Sequence, residues 1–137
     1  MKVYVFGNQD YKEDSTAFDI AEIIKMEPWY EDLGINFIYI KPNQDLPFVG
    51  EQRVVILDVV KGISEVKLIT EDDLKRMKLH DSSSVHDYDL GFQIEYLKKL
   101  KKLGDVYIIG IPFEGDVDYS SIQSIVKKLV AQDMQGS

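Results

Sequence analysis

Three short polar segments of this 137-residue chain carry side chains that can do chemistry together: Gly7-Asn8-Gln9-Asp10-Tyr11-Lys12-Glu13-Asp14, Leu57-Asp58 and Ser84-Val85-His86-Asp87. Two carboxylates and an imidazole form an O, O, N donor set. Such a set suits nickel, zinc or a similar divalent ion, and it can also move protons. Three protein ligands leave coordination positions open, as a site that engages substrate requires. Asp58 is the strongest of the candidates, because it closes the apolar run Val54-Val55-Ile56-Leu57. A carboxylate there loses hydration and needs a cation or a hydrogen-bonded turn in return. Asp14 competes with Asp10 and Glu13 in the first segment, and an Asp just before a helix is also an ordinary N-cap. Of the two histidines, His86 stands between Ser84 and Asp87 before a helical stretch, whereas His80 has no tie to a strand end. An exposed loop residue is the ordinary reading of either.

The elements around these segments bring them to one edge. Residues 2–6 read as a buried strand punctuated by Gly7, and Ala17, Ile20, Ala21 and Ile24 form a helical stripe that should end before Pro28. Asn36 to Ile40 is a second strand, and Arg53 to Asp58 a third, apolar enough to be covered on both faces. Glu65 to Thr70 alternates and is expected as a more exposed, antiparallel edge strand. Leu90, Ile94, Leu97, Leu100 and Leu103 mark an amphipathic helix ended by Gly104. Val106 to Ile111 is a fifth strand stopped by Pro112, and Ser120-Ser121-Ile122-Gln123 resembles a capping box opening a last helix. Strands separated by helices imply a three-layer α/β domain: a mostly parallel sheet of about five strands with helices on both faces. Ligands of such sheets sit beyond the carboxyl ends of the strands. Gly7 and Asp58 fall there, and the helix after His86 should start there. Glu114, after Phe113, is a supporting candidate at the same edge.

Composition bounds the rest. One domain spanning residues 1–137 is expected, with 45% apolar residues to fill its core. The net charge is −8 and there are no cysteines, so disulfides, thiolate metal sites and a cysteine nucleophile are excluded. Nucleic acid is a poor partner for an acidic surface. The one basic cluster, Lys98-Lys99-Leu100-Lys101-Lys102, suits the end of a helix, where cations oppose the macrodipole, better than an interaction patch. No run is long and apolar enough to span a membrane and none reads as a signal peptide, so a cytoplasmic protein is expected. There is no Gly-x-x-x-x-Gly-Lys or Gly-x-Gly-x-x-Gly, which argues against a nucleotide cradle.

In pattern and order the chain resembles the hydrogenase maturation proteases, endopeptidases that process nickel-iron hydrogenase large subunits. Val3-Tyr4-Val5-Phe6-Gly7-Asn8 looks like the family's opening strand and Gly-Asn turn, and Glu13-Asp14 like its acidic pair. Val54 to Asp58 resembles the strand with its second acid, Ser84-Val85-His86 its Ser/Thr-x-His segment, and Ile108-Ile109-Gly110-Ile111 its late strand with an internal glycine. The resemblance implies that Asp14, Asp58 and His86 are the metal-contacting and catalytic positions. The metal it implies is nickel, carried in by the substrate, with other divalent ions able to occupy the site. The implied partner is a hydrogenase large-subunit precursor, cut near its C-terminus once nickel is installed. The chain departs from the family at Ser15 and Ala17, where glycines are common, and at Val59-Val60-Lys61-Gly62, which holds a single glycine in a stretch tied to substrate selection. Three other classes are weighed against it. A non-catalytic scaffold module of the same fold is compatible with these glycine-poor loops. A receiver-like signalling domain would match Asp58, but it needs an acidic pair after the first strand and a Lys after the fifth, where Gly7-Asn8 and Pro112-Phe113 stand. A flavodoxin-like FMN binder lacks its Ser/Thr-rich phosphate loop.

Overall fold

Alternating strands and helices place five strands in one sheet, in the order β2-β1-β3-β5-β4. The computed structural model describes residues 1–6, 16–41, 46–60, 63–73 and 98–135. The strands are β1 (Lys2–Phe6), β2 (Asn36–Ile40), β3 (Arg53–Val60), β4 (Lys67–Ile69) and β5 (Asp105–Pro112). The helices are α1 (Thr16–Lys25), α2 (Pro28–Asp32) and α3 (Tyr119–Gln135). β2, β1, β3 and β5 run parallel, and β4 runs antiparallel against β5 at the edge. The expected fold class is therefore the observed one: a mostly parallel five-stranded sheet in an α/β domain. β3 extends two residues past Asp58, because Val59 and Val60 pair with Ile111 and Pro112. β4 is shorter than the alternation of residues 65–70 predicts.

The period-2 pattern of the strands divides the core between the two faces of the sheet. Val3, Val5, Val55, Leu57, Ile109 and Ile111 meet the apolar stripes of α1 and α3, including Phe18, Ile24, Ile122 and Leu129. On the other face Tyr4, Phe6, Val54, Ile56 and Ile108 pack with Phe48, Ile69 and Leu103. Phe48 is wholly buried, with its ring 5.1 Å from that of Tyr4 and 6.2 Å from that of Phe6. Deleting a buried side chain such as Leu129 or Ile109 would cost about 2–5 kcal/mol.

Polar ties gather where β3 and β5 begin. Arg53 donates from Nη1 to the Leu129 carbonyl at 3.0 Å, pairs with Asp133 at 3.3 Å and lies 5.1 Å over the Tyr107 ring. Its cation thus faces the carbonyl end of α3, where the helix dipole is negative. Lys98 pairs with Glu71 and donates to the Gly104 carbonyl at 2.9 Å, while Glu71 Oε1 accepts Val106 N–H at 3.0 Å. Tyr4 Oη donates to Glu51 Oε1 at 2.5 Å, and burial together with that carboxylate pushes the phenol above the ordinary tyrosine range.

Two expected caps are corrected. Gly104 does not end a helix in a left-handed turn. The left-handed residue after helical Lys98–Lys99 is Lys101, with φ +57°. Gly104 is needed for a different reason: a Cβ there would stand 1.8 Å from the Gln52 carbonyl oxygen, because Gly104 N–H and Asp105 N–H donate to Glu51 and Gln52 carbonyls. The start of α3 is capped by Asp118 rather than Ser120. Asp118 Oδ1 accepts the N–H groups of Ser120 at 3.1 Å and Ser121 at 3.2 Å, and both serine hydroxyls donate to the same carboxylate. These bonds hold the carboxyl below the usual aspartate range. Pro28 does stop α1, by opening α2 at its first turn, where a missing N–H costs nothing.

Candidate functional site

The chain crosses from β1 to β2 on one side and returns to place β3 on the other side of β1, so the sheet reverses its winding between β1 and β3. Such a switch point leaves a crevice at the carboxyl ends of the two strands. Asp58 lies there. The pairs Tyr4↔Ile56 and Val5↔Leu57, carried one residue further, set Phe6 abreast of Asp58. β1 ends at Phe6, so the last two residues of β3 run on beyond it.

Strand alternation puts the Asp58 side chain on the face of Ile56 and Phe48, away from α1 and α3. It is 3% exposed and is the one buried charged residue among those described. Its Oδ1 accepts the Val59 N–H at 2.9 Å, and no described buried side-chain oxygen or nitrogen lacks a hydrogen-bond partner. On its β5 flank the register partner is Gly110. A Cβ on Gly110 would lie 2.8 Å from Ile69 Cδ1, 3.1 Å from Ile63 Cδ1 and 3.3 Å from the Lys67 carbonyl oxygen. The glycine therefore lets two isoleucines close over the sheet beside the acid. Asp58 thus sits between an aromatic residue on β1 and a bare backbone on β5, in surroundings where an ion, a substrate carbonyl or a proton would meet little competing water.

Of the three residues singled out in the sequence, the described structure contains Asp58. Asp14, with its competitors Asp10 and Glu13, and His86, with His80, lie outside the described residues. Among the described residues no group of three or more His, Asp or Glu side chains is close enough to hold a metal. Glu114 is exposed beyond the end of β5, next to Phe113. Gly110 was visible in the sequence as a glycine interrupting an apolar strand, a pattern that marks a close approach; its register with Asp58 was not.

A second polar set occupies the opposite face. Tyr39 Oη donates to Glu22 Oε1 at 2.6 Å, and Lys25 Nζ lies 3.5 Å from that oxygen and 4.6 Å over the Tyr39 ring. The Tyr39 hydroxyl and then Lys25 favour the charged carboxylate and lower its pKa, while burial raises that of the phenol. Tyr39 packs with the α1 cluster, so this set does not share Asp58's face.

The sequence model of the HycI hydrogenase maturation protease family matches residues 37–135, a span that contains Asp58 and His86 and begins after Asp14. No curated protein matches the chain significantly. Among solved structures, the chain is similar to an endopeptidase from Escherichia coli, with 12% identity, a TM-score of 0.59 and coverage of 96% of this chain and 89% of that one. It is similar to the hydrogenase maturating endopeptidase HybD from E. coli, with 12% identity, a TM-score of 0.56 and coverage of 99% and 91%. It is also similar to a hydrogenase 3 maturation protease, with 22% identity, a TM-score of 0.53 and coverage of 96% and 87%. At these identities the structural likeness establishes the fold, and the family match supplies the class. The chain belongs to the hydrogenase maturation protease family and is an endopeptidase, a hydrolase. No described helix is long and apolar enough to cross a membrane.

Proposed function

We propose that this protein removes a C-terminal peptide from a nickel-iron hydrogenase large-subunit precursor after nickel has been inserted, and that Asp14, Asp58 and His86 contact the nickel carried by that precursor. The observation that supports this reading best is the placement of Asp58, a buried carboxylate at the switch point of a sheet whose sequence belongs to the maturation protease family. A buried carboxylate is costly to keep unless it is used or paired. A carboxylate at a switch point stands where ligands of such sheets bind.

In this reading, the two carboxylates and the imidazole complete the coordination of an ion that arrives with the substrate. An open three-ligand set without thiolates holds such an ion less firmly than a closed structural site, so the ion leaves with the product. Precursor without nickel lacks the ion that would fasten it to the site, and the cut is withheld. Asp58 orients the precursor through that ion. The cut itself needs a water directed at the scissile carbonyl, by polarisation at the ion or by a carboxylate acting as base.

The test mixes the purified protein with purified large-subunit precursor, with and without nickel, and reads release of a C-terminal peptide by mass spectrometry. Release from the nickel-loaded form alone is the expected result. Equal release from nickel-free precursor would remove the recognition role of the metal. No release under either condition would leave a binding module with the family's fold.

A further inference from the structure

The basic cluster at residues 98–102 is only partly explained by helix termination. Lys98 is committed, being paired with Glu71 and bonded to the Gly104 carbonyl. Lys99, Lys101 and Lys102 are exposed, and no described carboxylate forms an ion pair with any of them. Lys101 is the only non-glycine residue of those described with a positive φ, +57°. Helices that end in this conformation normally place Gly or Asn there, because a Cβ strains it. Lys101 thus carries its side chain at a position that local geometry favours for glycine, a strained conformation of the kind that clusters at functional sites.

An apolar surface adjoins these lysines. Leu100 is 47% exposed and Val49 46% exposed. Gly50 N–H donates to the Lys102 carbonyl at 2.6 Å, which sets the Val49–Gly50 turn alongside Lys101–Lys102. Two exposed aliphatic side chains and three exposed lysines on these adjoining segments have the composition of a protein-docking patch, which combines apolar contact with charge. On a chain of net charge −8, this local excess of positive charge selects a partner surface of the opposite sign. Three lysines are too few to hold nucleic acid or an anionic membrane against the repulsion of the rest of the molecule.

We infer that Val49, Leu100, Lys99, Lys101 and Lys102 form a docking site for an acidic, apolar-centred surface of the precursor protein, separate from the cleavage site. This rests on the processing function proposed above. The patch lies where β5 begins, since Arg53 pairs with Asp105, whereas Asp58 lies five residues further along β3. That is about 16 Å of strand at roughly 3.3 Å per residue. A contact so placed holds the substrate and does not touch the reacting bond, so it governs KM and leaves kcat alone.

The test measures binding of purified nickel-loaded precursor by interferometry, independently of cleavage, at low and high salt, and then KM and kcat on the same proteins. One variant carries Lys99→Gln, Lys101→Gln and Lys102→Gln together; the other is Lys101→Gly alone. The triple variant is expected to raise Kd and KM about tenfold at low salt, with the deficit shrinking as salt screens the lysines and kcat keeping its value. Lys101→Gly relieves the strained backbone, so it should match or exceed the parent in Tm while still weakening binding. Unchanged Kd in both variants, or a loss confined to kcat, would overturn the assignment. So would a parent protein that binds RNA or phosphatidylserine vesicles through these lysines but not the precursor. A parent that binds precursor in this manner without cutting it would count against the processing reading and leave the docking site standing.

Discussion

Asp58 on β3 stands in register with Gly110 on β5, so the one buried carboxylate among the described residues has no side chain next to it on that strand. Gly110→Ala would set a Cβ 2.8 Å from Ile69 Cδ1, a contact that something must relieve, at about 1–3 kcal/mol. Ile69→Val removes the Cδ1 atom. Paired with Gly110→Ala in a double-mutant cycle by urea denaturation, it should recover part of the loss. An additive double variant would show that the obstruction lies with Ile63 or the Lys67 carbonyl instead.

Asp58→Asn keeps the volume of the side chain and its acceptor for Val59 N–H while removing the charge. Processing of nickel-loaded precursor is expected to fall about a hundredfold or more, the order expected when the group that positions the reacting bond is removed, with circular dichroism unchanged. His86→Ala should do the same. Normal processing by either folded variant would remove that residue from the site.

Gly104→Ala should be among the most damaging single-methyl changes in the chain. Its Cβ would stand 1.8 Å from a backbone oxygen of Gln52, which no rotamer change can clear. A loss of more than about 3 kcal/mol, or failure to fold, is expected, at the far end of what point substitutions do. Mild behaviour would mean that the Gln52 turn can withdraw.

Asp118→Ala removes the acceptor for two N–H groups at the start of α3 and should lower Tm at neutral pH. The folded pKa of Asp118 is depressed, so its contribution is present above the unfolded aspartate value of about 4 and is lost as pH falls through the lower folded value. Melting curves of parent and variant should therefore converge in acid, below pH 4. A gap that persists there would mean that the protonated carboxyl still accepts these N–H groups and that its charge is not what caps the helix.

The parallel strands were legible because each is an apolar run bounded by turn residues, and the buried acid because Asp58 follows four aliphatic residues. What escaped depends on partners distant in sequence. Gly104 ends an apolar stripe, so it reads as a helix stop; its actual constraint comes from Gln52, which no periodicity can show. Ser120 and Asp118 are both good caps two residues apart, and only the aim of the carboxylate separates them. Val59 and Val60 joined β3 because Ile111 and Pro112 were there to meet them. Asp14 and His86 lie outside the described residues, and the part proposed for them in the site rests on the sequence pattern.

The Arg53 grip on α3 and the Glu71–Lys98 clasp both hold the end of the sheet where β3 and β5 begin, while Asp58 stands toward the other. In the function proposed for Asp58, rigidity and turnover draw on different ends of the same strands. A lineage moving to warmer surroundings can harden the one end residue by residue and leave the other to follow its substrate.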